Sequence, residues 1–227
     1  MTELGIKVNP SPSPRPERVE LTGRVVTLRP FDLSSQAPAL YAATHGPEAE
    51  DLWRYMGDGP YPNRAAYEVA FEKKQNSEDP LFWAVLDNAT GTPVGQASYL
   101  RIEPVQRVVE VGNILFSPAL QHSTGATEAM YLMARHAFND LGYRRYEWKC
   151  NALNQPSRRA ALRLGFTFEG VFRQHMIVKG RNRDTAWFSI LDAEWPRLQA
   201  NFEQWLAPSN FDAYGRQILS LSKLNNG

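Results

Sequence analysis

A chain of 227 residues, 43% hydrophobic and 22% charged, has the makeup of one globular domain with a sizeable core, which excludes a disordered or fibrous protein. With 25 Lys and Arg against 24 Asp and Glu, a net charge of +1 gives no chain-wide attraction to nucleic acid or an anionic membrane. The single cysteine, Cys150, excludes an intramolecular disulfide and a multi-cysteine zinc site; no apolar run reaches the roughly 18 residues of a membrane span, and no secretion signal opens the chain, so the cytoplasm is the expected compartment.

Residues 1–17 contain Asn9-Pro10-Ser11-Pro12-Ser13-Pro14-Arg15-Pro16, too rich in proline for helix or sheet, and read as a flexible arm, either passive or clasping a partner subunit. Residues 18–206 carry the expected domain and 207–227 an extension. Arg18 to Phe31 reads as strand, turn at Gly23, strand. Asp32 sits where an N-cap belongs, ahead of Leu33, Ala37, Leu40 and Tyr41 at helical spacing, and a second helix is predicted from Asn63 to about Lys74.

Short apolar runs at Leu81 to Leu86, Val94 to Ile102 and Val108 to Phe116 then predict an antiparallel meander. Thr124 to Leu141 is the strongest helix, with Met130, Met133, Ala137, Phe138 and Leu141 on one face and Gly142 as its stop. A strand at Tyr146 to Cys150, a helix at Asn154 to Leu164 and strands at Phe166 to Val178 and Thr185 to Leu191 follow. The last amphipathic segment, from Ala193, carries Trp195, Leu198, Phe202 and Trp205, and exposed aromatics there would favour a homodimer. The expected class is α+β, a mixed, mostly antiparallel sheet flanked by helices.

A strand ending near Phe116, a short loop and a helix opening at Thr124 aim unpaired N–H groups and a positive dipole end at one point, where an anion fits. Ser123, Thr124, Gly125 and Ala126 are small enough for a pyrophosphate to approach the backbone. Plain helix capping explains the same residues. A dinucleotide-binding fold is excluded, since no Gly-x-Gly-x-x-Gly turn follows the first strand. The basic run Lys179-Gly180-Arg181-Asn182-Arg183 reads as a solvated turn, not a nucleic-acid contact.

Gln121-His122-Ser123-Thr124-Gly125-Ala126, followed by Asn154, Ser157 and Leu164-Gly165-Phe166, resembles the paired motifs of the GNAT superfamily of acyl-CoA N-acyltransferases. Within it the chain looks most like the ribosomal-protein N-terminal acetyltransferases, over roughly Val19 to Leu191. Gln121 and Ala126 match the first pattern, whereas Thr124 stands where its first glycine is expected.

The resemblance implies acetyl-CoA as cosubstrate, no metal, and an amine acceptor, either a protein N-terminus or a small molecule. A GNAT-shaped protein that binds acyl-CoA without transferring the group is the alternative. Acetyl-CoA would lie where the strands Val108 to Phe116 and Tyr146 to Cys150 splay, held by Gln121 to Ala126, by the backbone of Ile114, Leu115 and Phe116, and by Asn154. Ser157 would protonate the leaving sulfur, unless it only starts a helix. Glu110, with Gly112 beside it permitting a bulge, is the first candidate for the base and His175 the second. Trp53, Tyr55, Arg173 and Asp184 would face the acceptor, with core packing and a hairpin salt bridge as the alternatives.

Overall fold

A computed structural model describes residues 5–226, so the first four residues of the expected arm and Gly227 lie outside the described residues. Eight strands form a single sheet in the order β1-β2-β3-β4-β5-β6-β8-β7. The strands are β1 (Leu21–Thr22), β2 (Val26–Pro30), β3 (Leu81–Asp87), β4 (Pro93–Glu103), β5 (Val108–Phe116), β6 (Arg145–Asn151), β7 (Thr167–Val178) and β8 (Arg181–Leu191). The described helices are α1 (Leu33–Thr44), α2 (Arg64–Gln75), α3 (Thr124–Arg135), α4 (Gln155–Arg163), α5 (Trp195–Leu206) and α6 (Leu221–Asn226). This is an α+β fold with helices on both faces of a mixed sheet.

Strand alternation divides the core. Trp83, Val85, Ala97, Tyr99, Val109, Val111, Tyr146, Trp148 and Phe188 face one way, onto a cluster closed by α3, α4 and α5. Phe82, Ala84 and Leu86 face the other, where α1 and α2 bring Ala37, Leu40, Tyr67 and Phe71. Local capping sets the helix starts: Asp32 accepts from Ser35 N at 2.9 Å and Asn63 from Ala66 N at 2.9 Å, as their positions predict.

Several boundaries differ from the sequence reading. The long helix leaves α geometry at Arg135 and finishes as a π-helical turn, His136–Asp140, before Gly142 at φ +67°. The last hairpin is longer than expected, because Val178 pairs with Arg181 across a two-residue turn in which Lys179 and Gly180 both take positive φ. The exposed aromatic face expected after Ala193 is instead core: Trp195, Phe202 and Trp205 are buried, Trp195 stacking on Phe138 at 5.0 Å. The argument for a homodimer loses its basis there.

The ends of the chain lie on the body. Ser13 donates from N to Pro104 O and from Oγ to Gly142 O, both at 3.0 Å, and Arg18 reaches Ser77 O at 2.8 Å. Beyond Leu206, Trp205 Nε1 donates to Gln217 Oε1, Asn225 Nδ2 donates to Arg163 O, and Leu221 is buried. Among the described residues, no helix is long and apolar enough to cross a membrane.

Candidate active site

The meander ends in a parallel pair whose pairing is partial. β5 and β6 match from Val108 and Arg145 only as far as Val111 and Trp148, while β5 runs on to Phe116 and β6 to Asn151. On its other edge β5 stays bound to β4 through Gly95–Phe116 and Gln96–Leu115. The β6-side edge of Ile114, Leu115 and Phe116 is therefore without a strand partner, and its amides and carbonyls line a V-shaped opening.

A bulge prepares that opening. Between the pairs Ser98–Gly112 and Gln96–Leu115, β5 has two residues, Asn113 and Ile114, opposite Ala97 alone. Asn113 sits at φ +50°, its Nδ2 donating to Ser98 Oγ at 2.9 Å. The extra residue inverts the strand's facing, so Val111 points into the α3 cluster and Leu115 into the α1–α2 cluster. Gly112 marked this irregular stretch in the sequence, although the bulge falls just after it.

Below the opening, Ser123 caps α3. Its Oγ accepts from Ala126 N at 3.1 Å and donates to Leu120 O at 2.6 Å, leaving the N–H groups of Thr124 and Gly125 without intrahelical partners. His122 takes φ +59° in the turn, and Gln121 Nε2 donates to Phe116 O at 3.1 Å. A Cβ on Gly125 would meet Val26 Cγ1 at 2.7 Å, so this glycine lets α3 approach β2. The buried Glu128 fixes the same approach, with Oε1 accepting from Arg24 N and Oε2 from Val25 N and Val26 N at 2.7 to 2.9 Å.

At the opposite wall, Asn154 caps α4 by accepting from Ser157 N at 3.1 Å, the helix-start role expected of it. The Ser157 side chain makes a contact of its own. Its Oγ accepts from Trp148 Nε1 at 3.0 Å, which occupies a lone pair, and the hydroxyl also lies within hydrogen-bonding reach of the Cys150 thiol. Trp148 is the last β6 residue paired with β5, so this contact sits where the strands separate.

The other face of the same strands is ionic. Glu110 is 5% exposed, and its Oε2 lies 2.9 Å from Lys149 Nζ and 3.7 Å from Arg101 Nε. Lys149 also meets Glu147 Oε2 at 2.8 Å, and its Nζ stands 3.7 Å from the centroid of the Trp187 ring. Burial pushes the Glu110 carboxyl above the ordinary range, against the pull of Lys149. Burial acts upward on Glu147 too, but hydrogen bonds and charge from Lys149 and Arg145 together bring it below. Trp187 Nε1 is buried with no hydrogen-bond partner among the described residues.

The expected acceptor residues are not all brought together. His175 reaches the Glu110 group only through Trp187, whose ring lies 6.0 Å away; its Nδ1 is 2.9 Å from Thr185 Oγ1. Asp184 has a structural role at the hairpin: its Oδ1 accepts from Gln174 N at 2.7 Å and Asn182 Nδ2 at 3.0 Å, at the bulge that carries His175. The Gln174 N–H keeps its carboxyl below the usual range. Arg173 is exposed and forms no ion pair with Asp184, so the hairpin salt bridge is absent.

Trp53, 1% exposed, packs in the core of the α1–α2 side, its indole N–H donating to Thr44 O. Tyr55 remains near the site edge, its hydroxyl donating to Leu153 O at 3.3 Å, and Lys179 Nζ donates to Trp53 O at 2.9 Å from the hairpin. Sequence reasoning missed Lys149, Trp148 and Glu128. The alternation of Glu147 and Lys149 against Tyr146, Trp148 and Cys150 was the available signal for the first of these.

The model of the acetyltransferase (GNAT) domain family matches residues 26–167, which span the bulge, the α3 start and Asn154 to Phe166. The chain belongs to the GNAT acetyltransferase family. It is similar to a GCN5-related N-acetyltransferase from Brucella melitensis, 46% identical over 95% of this chain and 98% of that one, with a TM-score of 0.93. A GNAT-family chain from Chromobacterium violaceum, described as a probable acetyltransferase, is 33% identical over 86% of this chain and 98% of its own, with a TM-score of 0.79. RimL, a ribosomal alpha-N-protein acetyltransferase, shares the fold at 19% identity, 76% and 94% coverage and a TM-score of 0.65. No curated protein matches the chain in sequence.

Proposed function

We propose that this acetyltransferase uses acetyl-CoA and moves the acetyl group directly onto a primary amine, either a protein N-terminus or a small-molecule amine. The observation that carries the reading is the opening beyond Val111 and Trp148, where a partnerless strand edge, a helix start and the Ser157 hydroxyl meet. These groups fit the cosubstrate in kind. N–H groups at Thr124 and Gly125 suit its pyrophosphate, and the edge of Ile114 to Phe116 suits the amides of its pantetheine arm. No metal is needed.

Acetyl-CoA supplies an activated thioester carbonyl. Glu110 takes a proton from the acceptor's ammonium, a task suited to a buried carboxyl lifted above its ordinary range. As the C–N bond forms and the C–S bond breaks, Ser157 donates a proton to the departing sulfur, its oxygen held by Trp148. Asn154 fixes the turn that presents Ser157. Tyr55, which donates to Leu153 O, and the exposed Arg173 are the residues proposed to meet the acceptor. A protein N-terminus as acceptor draws on the resemblance of the motifs to the ribosomal-protein acetyltransferases.

The test is release of free thiol when purified protein meets acetyl-CoA and a panel of amines and peptides. Turnover on at least one amine is expected, and Ser157→Ala should lower kcat on the order of 100-fold while the Kd for acetyl-CoA holds. Tight binding with no turnover on any amine would favour a protein that binds acyl-CoA without transferring the group. An unchanged kcat in Ser157→Ala would reduce Ser157 to a helix-start residue.

A further inference from the structure

The ion pairs on the acceptor face form one chain of alternating charge across four strands. Glu169 on β7 pairs with Arg145 on β6 at 2.5 Å, and Arg145 Nε meets Glu147 Oε1 at 2.7 Å. The other oxygen of Glu147 meets Lys149, Lys149 meets Glu110 on β5, and Glu110 ends the chain at Arg101 on β4. Its ends are solvated, with the Arg101 side chain 60% exposed and that of Glu169 36% exposed. Its middle is dry: the side chains of Lys149 and Glu110 are 5% and 7% exposed. A lysine stays charged at such depth only when it is paired, and here two carboxylates and an indole face surround its ammonium.

We propose that Lys149 is a positioning residue for acetyl transfer: held between Glu110 and Glu147 against the Trp187 ring, it aims the Glu110 carboxylate and keeps it ionised for the acceptor amine. The inference rests on Glu110 being the base. Lys149 is the one contact that joins that carboxylate to the rest of the network from the β6 side, since Glu147 is turned toward Arg145 by its second oxygen. Arg101 faces Glu110 from β4, but at 3.7 Å and in solvent it is a screened and weaker partner. From β8 the neighbour is the uncharged Trp187, and His175 on β7 meets only the far surroundings of that ring.

The two β6 neighbours of Glu110 act on it in opposite senses. Burial raises the Glu110 carboxyl, Lys149 lowers it, and the negative charge of Glu147 raises it again. A base must be deprotonated to work, so activity falls as pH drops through its titration, and whatever raises the carboxyl moves that acidic limb upward. Removing Lys149 should move it up, and removing the Glu147 charge should move it down. Damage to the fold does not produce opposite shifts.

The experiment is the pH dependence of kcat/KM on an amine substrate for the full chain and for Glu110→Gln, Lys149→Met, Lys149→Arg and Glu147→Gln, with thermal unfolding of each. Glu110→Gln should lose activity on the order of 100-fold or more and lose the acidic limb. Lys149→Met should be about tenfold slower at about pH 6, with a smaller deficit at about pH 9. Lys149→Arg should recover much of that loss, and Glu147→Gln should displace the limb downward. If Glu110→Gln keeps both rate and limb, the base reading itself is wrong. If Glu110→Gln is inactive but Lys149→Met and Glu147→Gln leave the limb in place, or move it the same way, Lys149 does not position the base. Should Lys149→Met fail to fold, Glu147→Gln decides: a downward shift supports the proposal and an unmoved limb overturns it.

Discussion

The start of α3 and the face around Glu110 present charge to the cleft by different means. At α3 the donors are main-chain N–H groups and a helix dipole, with no acidic side chain in the first turn, and the helix start is fastened to β2 by Gly125 and Glu128. Around Glu110 the charge belongs to side chains alone, three acids and three bases in sequence across the sheet. The main-chain donors of the first arrangement do not titrate and are placed by the fold itself. The second depends on protonation and on each partner being present. An anion that is the same in every turnover suits the former, and a proton that must leave an amine suits the latter.

Three substitutions sharpen this contrast. The largest effect is expected from Glu128→Ala, which strips a carboxylate from three main-chain donors at the β2 turn. Stability should fall by about 3 kcal/mol, since hydrogen bonds to charged groups contribute more than neutral ones and buried donors left alone are costly. Urea unfolding measures this, and a loss within experimental error would show that Gly125 packing alone positions α3.

Trp148→Phe comes next, keeping the ring against Phe166 while removing the donor to Ser157. Loss of one hydrogen bond of about 1 kcal/mol should lower kcat about fivefold with little change in KM for acetyl-CoA. Equal changes in both constants would mean that the indole shapes the binding wall and does not orient the hydroxyl. Smallest is Thr124→Asp. An acid in the first turn suits the helix dipole and so preserves α3, yet it repels a pyrophosphate, and the Kd for acetyl-CoA should rise several-fold, by about 1 kcal/mol at low salt. The effect should shrink as salt is added. Gly125 is the poorer place for that acid, because any side chain there would push against Val26.

The architecture was largely legible because its signals are local. Asp32, Asn63 and Asn154 announce helix starts through hydrogen bonds three residues long, and the apolar alternation of β3, β4 and β5 assigns each residue to a face. Where the reading faltered, the cause was tertiary. Trp53 and the α5 aromatics have the same composition whether they wall a pocket, form a dimer or fill a core, and only packing decides among those. The hydrogen bond from Gln174 N to Asp184 Oδ1 on the bulged edge of β7 depends on a register shift that local sequence does not announce.

The residues by themselves determined a mixed α+β chain with a helix start placed to receive an anion, because capping, periodicity and small side chains act over a few positions. The tertiary structure decided what surrounds the base. Glu110 and Lys149 lie on strands separated by the whole of α3, and parallel pairing of those strands is what sets their side chains 2.9 Å apart. That pairing stops at Val111 and Trp148, so Lys149 reaches Glu110 from one residue beyond the last rung, where the two strands separate.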